Sequence, residues 1–138
     1  MTQRWFPDSM PLPAANAETL PWWEAAREHR LVAQKCTGCS SLRHPPGPIC
    51  PDCSDTASEW VELGGRGTVY TFTVVHQQFV PADVPYVVIA VDLPEGVRIV
   101  SNLVGADPRD VHIGMPVELV WEDMSDDLAL PRFQKSDG

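Results

Sequence analysis

The sequence predicts a mainly β protein in which one amino-terminal helix precedes a four-cysteine metal ribbon and a small carboxyl-terminal β-barrel. Three observations carry that prediction. All four cysteines of the 138-residue chain fall between positions 36 and 53, as two Cys-x2-Cys pairs. From Thr19 to Leu31 no proline or glycine interrupts the chain beyond Pro21, which a first helical turn tolerates. From Trp60 onward the chain breaks into short runs rich in β-branched and aromatic residues, separated by glycine and proline. The length suits one compact domain or two very small ones, and a hydrophobic content of 43% supports one modest core.

Residues 1–18 mix proline, alanine and polar residues without periodicity, which predicts an arm or poorly ordered lead-in. The helix unit is expected over 19–34, with Thr19 as its cap and its last turn near Leu31. Glu24 near its start and Arg27, His29 and Arg30 near its end suit the helix dipole. The ribbon is expected over 35–59. Its insert Ser40 to Ile49 holds Pro45, Pro46, Gly47 and Pro48, which favour a β-ribbon with a turn over a helix. The barrel is expected over 60–134, with a tail at 135–138. Its predicted strands are Trp60 to Leu63, Thr68 to His76, Tyr86 to Leu93, Val97 to Val104, Val117 to Trp121 and Leu128 to Phe133, with one helical turn at Asp107 to Val111. Closure removes exposed edges, and an oligonucleotide/oligosaccharide-binding (OB) type of barrel has about this size.

Cys36, Cys39, Cys50 and Cys53 are the predicted metal ligands. A Cys-x2-Cys pair folds into a tight knuckle that aims both sulfurs at one ion, with Gly38 expected to supply backbone freedom in the first knuckle and Pro51 stiffness in the second. Two knuckles complete a four-thiolate tetrahedron with no open position, which is the arrangement of a structural zinc ion. A rubredoxin-like iron centre is the rival, because the ligands alone do not separate the two metals.

The formal net charge of −9, from 19 acidic and 10 basic residues, argues against nucleic acid as the partner. The imbalance is uneven. Arg27, Arg30, Lys35 and Arg43 face only Glu28 between positions 27 and 49, a candidate site for phosphate groups; seven acids face one base between Asp107 and Asp127. Glu122, Asp123, Asp126 and Asp127 read as a flexible acidic loop, since their spacing matches no compact cation cage. No apolar run is long enough for a membrane span or a secretory leader, so a cytoplasmic location is expected. There is no serine-hydrolase elbow, zinc-protease helix or phosphate-binding glycine loop, and no catalytic residue is assigned. His29, His44 and His112 read as surface or hydrogen-bonding groups. His76 closes a barrel strand beside a loop and is a candidate contact. Trp22 and Trp23 are adjacent and so do not share one core stripe; one of them is expected at a partner or ligand surface. Tyr86 to Val91 is apolar at both parities, which requires cover on both faces.

The order of helix, ribbon and barrel, together with Pro21-Trp22-Trp23-Glu24, Cys36-Thr37-Gly38-Cys39, Cys50-Pro51-Asp52-Cys53, Gly65-Arg66-Gly67-Thr68-Val69-Tyr70, Ile113-Gly114-Met115-Pro116-Val117 and Leu130-Pro131-Arg132-Phe133, resembles the zinc-ribbon plus OB-fold family known as domain of unknown function 35. The resemblance spans about positions 20–134. It implies a structural Zn2+ and a non-catalytic subunit that docks on a thiolase-superfamily enzyme, a thiolase or a thiolase-like aldolase of steroid side-chain degradation. In that picture the subunit helps form the acyl-CoA channel of the partner, in a heterotetramer of two plus two, with acyl-CoA as a shared ligand. An OB-fold nucleic-acid module and a stand-alone acyl-CoA enzyme are the alternatives.

Overall fold

A computed structural model of the protein describes residues 3–137. The helix, α1, spans Leu20–Arg27 and buries Trp22, Ala25 and Ala26. It is shorter than expected, because the chain turns left-handed at His29 (φ 59°). The His29 N–H bonds the Ala26 carbonyl and the Arg30 N–H reaches back to the Ala25 carbonyl, a Schellman closure with histidine where glycine is usual. The expected cap is also corrected. Thr19 makes no side-chain cap bond to the helix. Asn16 does the work one turn earlier: its Oδ1 accepts from the Glu18 and Thr19 N–H groups, while the Thr19 hydroxyl accepts from the Asn16 N–H.

The chain then enters a three-stranded antiparallel sheet made of β1 (Val32–Cys36), β2 (Leu42–Arg43) and β3 (Ser58–Glu62), with β1 in the middle. Val32 to Cys36 was not expected to be a strand. It pairs along its whole length with β3, Val32 opposite Glu62 and Cys36 opposite Ser58, so the strand expected at Trp60 belongs to the sheet that carries the cysteines.

Five further strands close a barrel: β4 (Arg66–Val75), β5 (Tyr86–Asp92), β6 (Arg98–Leu103), β7 (Pro116–Ser125) and β8 (Leu128–Lys135). Their order round the barrel is β4-β5-β6-β8-β7, with β6 and β8 parallel and the other pairs antiparallel. This is the OB arrangement. The expected helical turn is a 3-10 turn at Pro108–Asp110 between β6 and β7. Val69, Val87, Ile89, Val91, Val117 and Phe133 fill the interior and join Trp22, Leu31, Val32 and Ala33 in one continuous core. Burying a side chain such as Phe133 stabilises by about 1.5–3 kcal/mol. Gly67 is required where β4 crosses β5, since a Cβ there would lie 2.4 Å from the Asp92 carbonyl oxygen.

The two outer flanks of the barrel differ. On β7 the outward residues Val120 and Glu122 are covered by the amino-terminal arm: Phe6 packs with Ala82 and Val104, and Trp5, Tyr86 and Val120 pack round them. Within the arm, Trp5 and Phe6 are thus packed on the barrel, while residues 11–18 are exposed. β4 is bare by contrast. It meets β7 only through Arg66–Thr68, so from Thr71 to Val75 it has β5 on one edge and no strand on the other among the described residues. Tyr70, Thr71, Phe72 and Thr73 are consecutive and all exposed. On β5 the odd positions Val87, Ile89 and Val91 are buried inside, while Val88 and Ala90 on the outside are half-buried.

Candidate metal centre and adjoining surfaces

The local fold brings the four cysteines together by two near-identical turns. In the first, the Cys36 N–H bonds the Ser41 carbonyl, the Ser40 N–H bonds the Cys36 carbonyl, and Ser40 is left-handed (φ 66°). In the second, the Cys50 N–H bonds the Asp55 carbonyl, the Ser54 N–H bonds the Cys50 carbonyl, and Ser54 has φ 66°. The left-handed residue of each knuckle is thus a serine after the second cysteine. Gly38, the expected source of backbone freedom in the first knuckle, does not have a positive φ. Its place is a close approach: a Cβ on it would lie 2.4 Å from Asp55 Oδ2 of the opposite knuckle, so the Asp55 side chain would have to shift.

All four sulfurs lie within 4.8 Å of one another. The Cys36–Cys53 and Cys39–Cys50 separations are 3.5 and 3.6 Å. Disulfide sulfurs lie ~2.05 Å apart, whereas thiolates on a tetrahedron with ~2.3 Å metal bonds are ~3.8 Å apart. The donor set therefore fits one tetrahedral ion. Cys36 and Cys50 are buried and Cys39 and Cys53 exposed, so the centre sits at the surface, with Cys36 at the end of β1 as its one ligand on a strand. The Ser41 hydroxyl, 3.4 Å from the Cys50 Sγ and 3.2 Å from that of Cys39, is the largest of the effects holding both thiols below their usual range, Cys50 down to about 6. At Cys53 the Asp55 N–H pulls the thiol down, but the neighbouring Cys36 sulfur, burial and the other two sulfurs outweigh it and push it up to about 12. Four thiolates crowd one another until a cation neutralises them. With four protein ligands no position is left for substrate or water, which makes the centre structural.

The four basic residues singled out by charge do not form one patch. Arg43 is opposite Gln34 and Lys35 is opposite Leu42, so alternation sends Arg43 and Lys35 to opposite faces of the sheet. Arg43 donates to the Gly47 carbonyl at 2.9 Å. Arg30 lies 3.5 Å from Glu28 and 3.8 Å from Glu62, and Arg27 lies 3.9 Å from Asp127.

Of the two tryptophans, Trp22 is in the core, 7% exposed, and only Trp23 is left at the surface. Their rings meet edge to face at 4.7 Å, and the Trp22 ring lies 5.9 Å from that of His44. Both tryptophans and His44 line a cleft of about 280 Å³ floored by Val88, Val100 and Pro131 of the barrel. Burial holds the His44 imidazole below its usual pKa. His76 is exposed at the end of β4 and lines a separate cleft with Val74, Pro85 and the Asp107–Arg109 pair.

One functional group escaped the sequence reading. Glu122 is not in a flexible acidic loop; it lies on β7 and is 0% exposed. Its carboxylate accepts from the Trp5 and Phe6 backbone N–H groups and, at 2.9 Å, from Arg132 Nε, with Arg4 Nε at 3.6 Å. Arg132 also donates to Asn102 and lies over the Phe6 ring. The one available signal was Val120: an apolar residue on the supposedly solvated face of β7 implies a cover on that face.

Two family descriptions match the chain in tandem: "ChsH2, rubredoxin-like zinc ribbon domain" over residues 23–59 and "ChsH2, C-terminal OB-fold domain" over residues 60–122. Over 125 residues (90% of this chain) it is 48% identical to the "Probable enoyl-CoA hydratase alpha subunit" of Thermomonospora curvata. Over 121 residues (87% of this chain) it is 40% identical to the "3-oxo-4,17-pregnadiene-20-carboxyl-CoA hydratase alpha subunit" of Mycobacterium tuberculosis. The chain spans only 39% of the length of each of these relatives. A solved chain described as "Ltp2-ChsH2(DUF35) aldolase" superposes with a TM-score of 0.85 at 46% identity, covering 90% of this chain and 98% of that one.

Proposed function

This chain belongs to the ChsH2 (DUF35) family of rubredoxin-like zinc ribbons joined to OB-fold domains, and from that premise we propose that it is a non-catalytic partner subunit of a thiolase-superfamily enzyme acting on acyl-CoA, of the Ltp2 aldolase type. The observation that carries the proposal is the solved relative: 98% of a chain described as part of an Ltp2-ChsH2 aldolase has its counterpart here, at a TM-score of 0.85. The hydratase names of the curated relatives are not carried across, because the match covers 39% of each of those proteins.

The chemistry of the chain supports a subunit over an enzyme. Its four cysteines are gathered at the metal centre. Its histidines stand apart: His29 bonds Asp123 at 2.7 Å, His44 packs beside Trp22, His112 bonds the Asp110 carbonyl and His76 is exposed. We take the resident metal to be zinc, which when bound acts as a cross-link for the ribbon and offers no open coordination site. Cys36, Cys39, Cys50 and Cys53 are its ligands in this reading. Carbon–carbon bond chemistry then belongs to the partner, and a two-fold thiolase-like dimer carries one copy of this chain on each side.

Co-expression with an Ltp2-type protein tests the proposal. The expected result is a stable complex of two plus two chains, with retro-aldol activity on a steroid-side-chain acyl-CoA that neither chain shows alone. An Ltp2-type protein fully active and soluble without this chain would overturn it.

A further inference from the structure

The bare edge of β4 is the feature of the barrel that its own chain leaves unexplained. β5 takes one edge of this strand from Thr68 to Val75, with a bulge between Val69 and Thr71, yet from Thr71 to Val75 the opposite edge has no strand neighbour among the described residues. An unpaired edge is a row of alternating N–H and C=O groups, and proteins commonly blunt it with charged residues, proline or a covering loop. β4 itself carries neither charge nor proline beyond Arg66; its charged neighbours are Arg98, whose guanidinium lies 3.4 Å over the Tyr70 ring, and the Asp107–Arg109 pair, which shares a cleft with Val74. Between Gly67 and Ala82 there is no Asp, Glu, Lys or Arg, in a chain whose net charge is −9. The strand and the loop beyond it instead expose apolar surface: Tyr70 is 49%, Phe72 36%, Phe79 73% and Val84 40% exposed. Depletion of charge around exposed aromatics marks the centre of a protein interface, and it argues equally against a nucleic-acid ligand.

We propose that the Thr71–Val75 edge of β4 is a strand-addition site, and that the thiolase-like partner supplies one extended segment which pairs with it while Phe72 and Phe79 seat in apolar contacts on either side. The proposal rests on the partner-subunit reading above. The unpaired main chain selects the form of the occupant, since only another extended backbone satisfies such a row of donors and acceptors. The uncharged, partly aromatic side chains of β4 and the loop after it select its chemistry, a mainly apolar segment.

The test uses the full chain, with the Ltp2 protein of the homologous solved assembly as the probe. Thr71→Lys/Thr73→Lys places two charges on the exposed strand beside the edge, and Phe79→Ala removes the most exposed aromatic. Circular dichroism and metal content of each free variant establish that the fold is intact. Weakening of the complex on the order of tenfold or more is expected for the double lysine variant, with a smaller loss for Phe79→Ala. Hydrogen exchange on the wild-type complex supplies the second readout: every other amide from Thr71 to Val75 gains protection, a main-chain signature that a side-chain contact does not produce. Wild-type affinity in the lysine variant, or unchanged exchange at Thr71 to Val75 in the complex, overturns strand addition while leaving the partner-subunit reading standing. No complex with the wild-type chain overturns both. A concentration-dependent dimer of this chain that protects the same amides would assign the edge to a second copy and overturn the choice of partner.

Discussion

The ribbon and the barrel are held together by different physics, although one core runs through both. The β1–β3 sheet has a middle strand of five residues and a neighbour of two, too little apolar surface to stand alone. Its order comes from two knuckles clamped on four sulfurs. The barrel is filled by branched aliphatics and Phe133, and it adds one buried charge cluster, Glu122 with Arg132 and Arg4, on the flank where the arm crosses. The difference teaches that loss of metal and loss of packing should strike different halves of the same chain.

Metal removal draws that contrast most strongly. Structural zinc contributes on the order of 10 kcal/mol of apparent folding energy to a ribbon of this kind. Chelation, or Cys36→Ser, is expected to abolish protection of the amides of residues 32–62 in hydrogen exchange while the β4 to β8 amides keep most of theirs. Equal loss in both halves would mean that the shared core, not the metal, sets the order of the ribbon.

Glu122→Gln probes the barrel side. Breaking a buried ion pair costs about 3–5 kcal/mol, because Arg132 loses its charged partner and the arm amides lose an anionic acceptor. The expected outcome is a lower melting temperature together with fast proteolysis before residue 16, and unchanged metal content. A variant that keeps its arm protected would show that Phe6 packing alone holds the strap.

The smallest effect is at the helix. Asn16→Ala removes the acceptor for two N–H groups and should cost about 1 kcal/mol, read as a shift of the denaturation midpoint. Thr19→Ala is expected to cost less, since its hydroxyl satisfies only the Asn16 N–H.

What was legible in the sequence follows from how local each determinant is. The Cys-x2-Cys spacing and the β-branched runs are local signals, so the metal ligands and the five barrel strands stood out. The Asn16 cap lay hidden behind a better-placed threonine, and the helix end lay hidden because histidine, not glycine, takes the left-handed position. β1 went unseen because Val32 to Lys35 alternates weakly and its partner lies more than twenty residues on. The Glu122 clasp joins residues separated by 116 positions, and nothing near Trp5 announces it. The basic residues clustered in sequence yet diverged in space, because strand alternation sends Lys35 and Arg43 to opposite sides.

The clasp at Glu122 recognises the arm by its peptide groups, not by what the side chains at 5 and 6 happen to be. Substitutions at those two positions are therefore invisible to the carboxylate, provided neither is proline, which lacks the hydrogen to donate. A change of side chain at 5 or 6 thus leaves these two hydrogen bonds in place, and what it loses is the packing of Trp5 and Phe6 against Ala82, Val104 and Val120.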